Sequence, residues 1–324
     1  VDAGGIFPLI AARTGSYRLT EVRRFTNAWE RDASLRLREG DVSVLAEYAG
    51  RGRIYHGPQD RVFDDAVDLY LNGFLAGKEA LLMATSNQTA IRLAGLVRER
   101  LAELGRVGTA EITLSDGNQA GRGDLIRARL NTRIDADGQS LANRDVVRVE
   151  SINESGFGRL AAVRRQTGPD QWSRPFHVPV AYLESNGELA YAGNVHVAEG
   201  ATVDRGHTVV DAGANRALVY TGGTRGREKN TFHVVTGPPD PAQPTRAERD
   251  AYAAAQLHKA AELRKSGRAD LAREVDLRMP ERPSDLQLAP WEAVLAQALQ
   301  QDEPERTALE VIQQAQDWTT NTGH

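Results

Sequence analysis

The chain has 324 residues, no cysteine and a formal charge of −4. That length suits two or three small domains, and the missing thiols exclude disulfides and cysteine-bound zinc and fit a reducing cytoplasm. Mild acidity leaves any nucleic-acid binding to a local groove, not to a global field. No apolar run approaches the roughly 20 residues that span a bilayer, and no signal peptide is evident.

The opening, VDAGGIFPLIAARTGSY, begins inside an apolar segment with no charged lead-in. After it, Asn27 with Glu30 three residues on reads as a helix start. Trp29, Ala33 and Leu37 form one face of that helix, and Gly40 stops it. Phe63, Ala66, Val67, Tyr70 and Phe74 make a second stripe, ended by Gly77. Glu79 to Thr85 (EALLMAT) predicts a buried strand. Ser86 or Asn87 then caps a long helix with Ile91, Ala94, Val97, Leu101 and Leu104 on one face. This is a βα unit of a doubly wound sheet, and its strand-to-helix turn lies where such sheets bind ligands.

From about Thr109 the period changes. Turn pairs become dense (Asp116-Gly117, Asp137-Gly138, Gly168-Pro169, Asn186-Gly187), with short alternating runs such as DVVRVESI and FHVPVAYL between them. The pattern predicts a small β-barrel inserted into the α/β domain. The α/β pattern then resumes over Tyr191 to Asn230. HTVVDAG is a β-branched run of the kind that forms a buried parallel strand, Asn215 to Tyr220 reads as a helix start, and TFHVV as another strand. Gly200 allows close backbone approach to a ligand, and Arg225 and Arg227 offer planar forks for phosphate. The seven histidines show no HxxxH pairing and give no metal site. GPPDPAQP (residues 237–244) is a linker. Thr245-x-x-Glu248 is a capping box opening a polar helix, and Pro290 starts a helix carrying Trp291, Val294, Leu295 and Ala298. A further helix begins at Asp302 and Pro304, with Leu309, Ile312 and Ala315 on one side. These thin stripes predict a helical appendage that docks on a partner or on another domain, or else a mobile tail.

Two clusters in the 191–230 stretch, VHVAEGAT and YTGGTRGR, resemble the last two motifs of superfamily 1 helicases, VHxxQGxT and YVALTRGR. LTEVRRF (residues 19–25) is similar to a third, LTEIFRQ. The opening VDAGG and the run YRLTEVRRFTNAWERDASLRLREGD resemble the RecD-like helicase part of conjugative relaxases, in the actinobacterial branch of the MobF type. The resemblance runs through most of the chain and is strongest at 1–47, 79–104 and 186–236. It implies that Arg225 is the arginine finger on the γ-phosphate of ATP and that Arg24 is a phosphate sensor. Glu199, Gly200 and Arg227 stand beside them as nucleotide-binding positions, with Glu199 where the motif has Gln. Gly222-Gly223 replace bulkier residues and are expected to loosen the helix before the finger. Thr85, Ser86 and Asn87 match the family's A(T/S)N turn, which touches the DNA backbone. They also read as plain N-capping residues. His196 and Thr202 read as DNA-backbone contacts, His196 equally as a structural residue. Asn143, in the NRD turn of the insert, reads as a DNA contact or a turn former, the latter preferred, as for Asp145.

These readings give an α/β chain built as a RecA-like, P-loop-NTPase-type parallel sheet, the second motor domain, with an inserted SH3-like β-barrel and a C-terminal helical tail. The expected limits are an edge of the first core at 1–18, the motor domain at 19–109 plus 187–236, the barrel at 110–186, the linker at 237–244 and the tail at 245–324. No GxxGxGK[ST] loop or acidic DE motif occurs. The chain is therefore expected to be the C-terminal part of a larger protein or a truncated reading frame, inactive as an ATPase alone. ATP and Mg2+ would act in the complete protein, with the metal ligands outside this chain. The expected partners are single-stranded DNA, an N-terminal RecA-like core and a relaxase domain. A non-catalytic DNA-binding or protein-docking module is the alternative.

Overall fold

The structure, a computed structural model, describes residues 24–133, 140–156, 158–198, 200–268 and 289–301, with 271, 275–276 and 279–280. Glu199 and the helix expected from Asp302 lie outside the described residues. The chain opens with helices α1 (Ala28–Arg38) and α2 (Val44–Gly50), followed by β1 (Ile54–Pro58), α3 (Gln59–Leu75), β2 (Ala80–Ala84) and α4 (Asn87–Glu103). An insert of short strands follows: β3 (Ile112–Thr113), β4 (Gln119–Ala120), β5 (Leu125–Ala128), β6 (Thr132–Arg133), β7 (Ser140–Leu141), β8 (Val146–Ser155), β9 (Gly158–Gly168), β10 (Gln171–Trp172) and β11 (Phe176–Pro179). Helix α5 (Val180–Asn186) and β12 (Gly187–Leu189) end it. The chain then runs through β13 (Ala192–Asn194), a 3-10 turn (Val195–Ala198), β14 (Val203–Val210), α6 (Arg216–Gly222), β15 (Gly226–Gly237), α7 (Arg246–Lys265) and α8 (Trp291–Gln300).

A five-stranded parallel sheet, ordered β1-β15-β14-β2-β13, forms the centre. Its middle strands are near-continuous buried runs, as a sheet covered on both faces requires. Leu82, Ala84 and Val209 face α3 and α4, where Phe63, Ala66, Val67, Leu93 and Val97 close the core. Val210, Phe232 and Val234 face the other way and pack with Leu37, Tyr48 and Val219 of α1, α2 and α6. Ser86 caps α4, its Oγ accepting from the Thr89 amide at 3.1 Å. The buried stripe of α4 is rotated from the expected one. Ala90, Leu93, Ala94, Val97 and Leu101 are inside, while Ile91 and Leu104 are 36% and 56% exposed. Ile91 instead lines the open groove between α4 and the insert, which meets this helix along Ile91, Gly95 and Arg98.

That insert forms a six-stranded antiparallel sheet, ordered β10-β9-β8-β5-β12 with β11 also on β9. Ile126, Val147, Val149, Ala161, Val163 and Val178 continue the same apolar cluster as α4. The joint is made by Asp124, which is fully buried. Its carboxylate accepts from Arg98 Nε at 2.9 Å, from the Gly121 amide at 2.8 Å and from the Tyr191 hydroxyl at 2.9 Å. Burial pushes this carboxyl above its ordinary range despite those donors.

The C-terminal helices depart from the expected appendage. Leu295, Ala298 and Leu299 of α8 are buried against Phe232, Val234 and Leu37, so α8 covers one face of this chain's own sheet. Gly40 makes room for it, since a Cβ there would lie 3.0 Å from the Leu299 carbonyl oxygen. Helix α7 begins with the expected capping box at Thr245 and Glu248 and buries only Ala260. The 237–244 run is more fastened than a linker needs to be. Asp240 is buried and accepts from the Ala242 amide at 3.0 Å and Gln243 Nε2 at 3.2 Å. Among the described residues no helix is long and apolar enough to cross a membrane.

Candidate functional site

Of the two motif segments, YTGGTRGR lies at the amino-terminal edge of the parallel sheet, and VHVAEGAT runs to it from the carboxyl-terminal edge. Val203 of β14 pairs with Gly226 of β15, which puts Arg225 at the amino-terminal edge. The α6 helix that precedes it is capped by Asn215, whose Oδ1 accepts from the Leu218 amide at 3.0 Å. Gly222 and Gly223 do not loosen that helix. A Cβ at Gly222 would lie 2.5 Å from Thr208 Cγ2, and one at Gly223 2.5 Å from Phe232 Cζ. The two glycines let α6 lie directly on β14 and β15, which tightens the support of the arginine turn.

Arg24 and Arg225 converge on Thr224. Arg24 Nη1 donates to the Thr224 carbonyl, and Arg225 Nη2 donates to Thr224 Oγ1 at 3.0 Å. Arg225 Nε also reaches the Thr221 carbonyl at 2.9 Å and Nη1 the Ala198 carbonyl at 3.5 Å. It is buried, whereas Arg24 is half-buried. Gly200 sits on the same edge at φ +82°, with open space where a Cβ would point. Arg227 is committed elsewhere. Its Nε donates to Asp204 at 2.8 Å and its Nη2 to Glu79, which ties together the starts of β15, β14 and β2. That bond holds the Asp204 carboxyl below the usual carboxylate range. The phosphate-binding role expected of Arg227 thus meets a guanidinium already held by two carboxylates.

Behind the turn lies a buried network that sequence reading missed. Asn230 Oδ1 accepts from the Gly226 amide at 2.7 Å and its Nδ2 donates to the Gly226 carbonyl at 2.8 Å and to Glu30 at 2.9 Å. Glu30 is fully buried on α1, and burial raises its pKa. The only sequence signal was Glu30 in a capping position, but the structure turns it inward to Asn230.

The carboxyl-terminal edge carries the other candidates. Thr85, Ser86 and Asn87 follow β2 there. The Thr85 hydroxyl is buried with no hydrogen-bond partner, and Ser86 is used as the cap. Asn87 Oδ1 accepts from Asn194 Nδ2 at 2.6 Å. The 3-10 turn carrying His196 starts beside them, held by the Val197 amide donating to Asn194 Oδ1 at 3.0 Å. It crosses over the sheet face to Gly200, so the VHVAEGAT segment links the two edges. A groove of 290 Å³ opens between α4, β13 and the insert, and Asn87, His196 and Asn143 all line it. Asn143 sits in a turn where Ala142 N donates to Asp145 Oδ2 at 2.9 Å, so Asp145 is a turn former as expected. Thr85, Ser86 and Thr202 are not among the groove's lining residues, and Thr202 is exposed near the amino edge.

Besides Asp116 of the expected Asp116-Gly117 turn, the groove's charge comes from residues that sequence reading did not single out: Arg127, Arg129, Arg144 and Glu188. Arg127 is on β5 and Arg129 just past its end, both donate to Glu188, and Glu188 is the cross-strand partner of Arg127. That i, i+2 spacing was the available signal. Arg144, exposed at φ +77°, stands at the mouth.

A sequence-family profile described as "AAA domain" matches residues 1–59. The conjugal transfer protein TraA of Agrobacterium fabrum (strain C58 / ATCC 33970) is 29% identical over 70% of this chain and 20% of its own length. The TraA of Rhizobium radiobacter is 28% identical over 73% and 21%. Among solved structures, Pif1 helicase from Candida albicans has a TM-score of 0.40 at 13% identity, over 66% of this chain and 55% of that one. Pif1 helicase from Bacteroides, solved with ADP-AlF3 and ssDNA, has a TM-score of 0.40 at 13% identity, over 67% and 51%. The chain is homologous to the conjugal transfer protein TraA and spans about a fifth of the length of the curated relatives it matches.

Proposed function

We propose that this chain supplies the second motor domain of an ATP-dependent DNA helicase within a conjugal transfer relaxase, moving 5′ to 3′ along single-stranded DNA. The observation that carries the reading is the meeting of Arg24 and Arg225 on Thr224. Two planar cations converging on one residue fit a polyphosphate in charge and in bidentate geometry. When bound, ATP with Mg2+ would supply the phosphoanhydride that is cleaved, and the phosphate-cradling loop and metal ligands would come from the first core. Arg24 and Arg225 would hold the terminal phosphate and stabilise the charge developing on it. The Glu30–Asn230 network would keep their turn in place. At the opposite edge, Asn87, His196 and the groove arginines would hold the strand's phosphates, with the inserted sheet acting as an SH3-like barrel that guides it. Such a grip is sequence-tolerant and weakened by salt.

The test is ATP hydrolysis by the chain alone and with the first core supplied, each with and without single-stranded DNA. The reading expects no turnover alone, turnover in the assembly, and loss again with Arg225→Ala. Turnover by the chain alone would overturn it.

A further inference from the structure

Glu188 stands between two arginines at the groove. Its Oε1 accepts from Arg127 Nη1 at 3.0 Å, and its Oε2 accepts from Arg129 Nη1. The two arginines are not equivalent. Arg127 is 7% exposed and also donates to the backbone carbonyls of Ala192 at 3.3 Å and Ala190 at 3.4 Å, so the fold fixes it. Arg129 is 58% exposed, and Glu188 is its side-chain partner among the described residues. Glu188 itself is 13% exposed. It is anchored through Arg127 and offers its second oxygen to a cation that otherwise faces solvent.

We propose that Glu188 is a resident competitor for the strand's phosphates: it occupies Arg129 in the empty groove and hands it over when a phosphate arrives. This rests on the groove being the single-strand grip. The exchange replaces one charge-assisted bond of Arg129 with another. Each phosphate that takes Arg129 gains only the difference between two anions, while Glu188 keeps its bond to Arg127. A grip built this way is shallow at this position. That suits a strand that must be released and retaken at every step, because a deeper site would hold it back.

The experiment is fluorescence anisotropy of labelled oligo(dT) on the full chain without nucleotide, across about 50 to 200 mM salt. The variants are Glu188→Gln, Arg129→Gln, the double variant and Arg144→Gln, with thermal melting as the folding control. Glu188→Gln keeps an acceptor for Arg127 and removes the competing charge. It should tighten binding by up to about fivefold, the worth of an exposed ion pair. The log–log salt slope should stay where it is, because Arg129 takes one phosphate with or without Glu188. The gain should vanish in the double variant. Unchanged or weaker binding by a folded Glu188→Gln protein, with Arg144→Gln weakening it, overturns the proposal and leaves the groove reading standing. Indifference to all four variants overturns the groove reading itself. Should Glu188→Gln not fold, Arg129→Gln decides. A measurable loss smaller than that of Arg144→Gln supports the exchange, because Arg129 gives up Glu188 to bind, and an equal or larger loss, or unchanged binding beside a weakened Arg144→Gln, overturns it.

Discussion

The two edges of the parallel sheet handle positive charge in opposite ways. At the amino edge every site arginine is already held: Arg225 by Thr221, Thr224 and Ala198, Arg24 by Thr224, and Arg227 by Asp204 and Glu79. At the carboxyl edge Arg129, tied to Glu188 but largely exposed, and Arg144 stand around an open groove. The first arrangement suits a transition state, where preorganised donors avoid reorganisation. The second suits a long polyanion, which must be able to slide. One fold can therefore hold the same residue type fixed at one end and leave it largely exposed at the other.

The largest expected effect is at the amino edge. Arg225→Ala should cut ATP turnover of the assembled motor by about 10³-fold or more, the usual worth of an arginine finger, while oligo(dT) affinity stays within a factor of two or so. A parallel fall in both would break the division between the edges. Next is Gly223→Ala, whose Cβ meets Phe232. Overpacking there should lower unfolding free energy by about 1–3 kcal/mol in urea titrations, and turnover should suffer more than strand binding. Insensitivity would return α6 to the loosened helix expected from sequence.

Between the edges, stability should depend on acid. His207 and His233 are buried around Thr231, whose hydroxyl is 2.8 Å from His207 Nδ1 and 3.3 Å from His233 Nε2. Burial pushes His207 down to about 3 and His233 well below its ordinary value. The folded state thus takes up fewer protons than the unfolded chain below about pH 6.5. Stability is therefore fully present above that pH and falls as pH drops towards 3, by up to about 1.4 kcal/mol per pH unit for each histidine. Glu30, whose pKa is raised, opposes this by gaining stability as it protonates. Urea midpoints from pH 7 to 4.5 check the sign, and His207→Asn should flatten the curve. Smallest is Arg144→Gln at the groove mouth. It should weaken oligo(dT) binding about threefold and make the salt slope shallower by about 0.7, with basal ATP turnover unmoved.

Much of the central sheet was legible because β-branched runs between glycines leave few alternatives. HTVV and TFHVV became β14 and β15, and EALLMAT became β2. Ser86 and Thr245 were readable as caps because capping is local chemistry. What failed was everything set by distant contact. The exposed Ile91 follows from the groove left open where the insert meets α4, which no period within the helix reveals. The α8 stripe looked thin because a helix with few buried positions can still close a face when Phe232 and Val234 wait beneath it. Glu30 looked like a cap and is a buried partner of Asn230. The groove arginines left only their i, i+2 spacing in the sequence, because their charge acts together only once Glu188 and Asn87 are brought alongside.

The strand order also dictates when this molecule can become itself during synthesis. β1 and β2 are separated in the sheet by β14 and β15, which a ribosome makes more than 100 residues later. Until about residue 237 has emerged, the nascent chain carries two orphan strands with bare edges, the kind of non-local pairing that folds slowly and invites aggregation. The inserted sheet has no such delay, since the β8–β9 hairpin closes on its neighbours in sequence. It can consolidate first and bring Leu189 and Tyr191 against α4, carrying the late strands towards the early ones that wait for them.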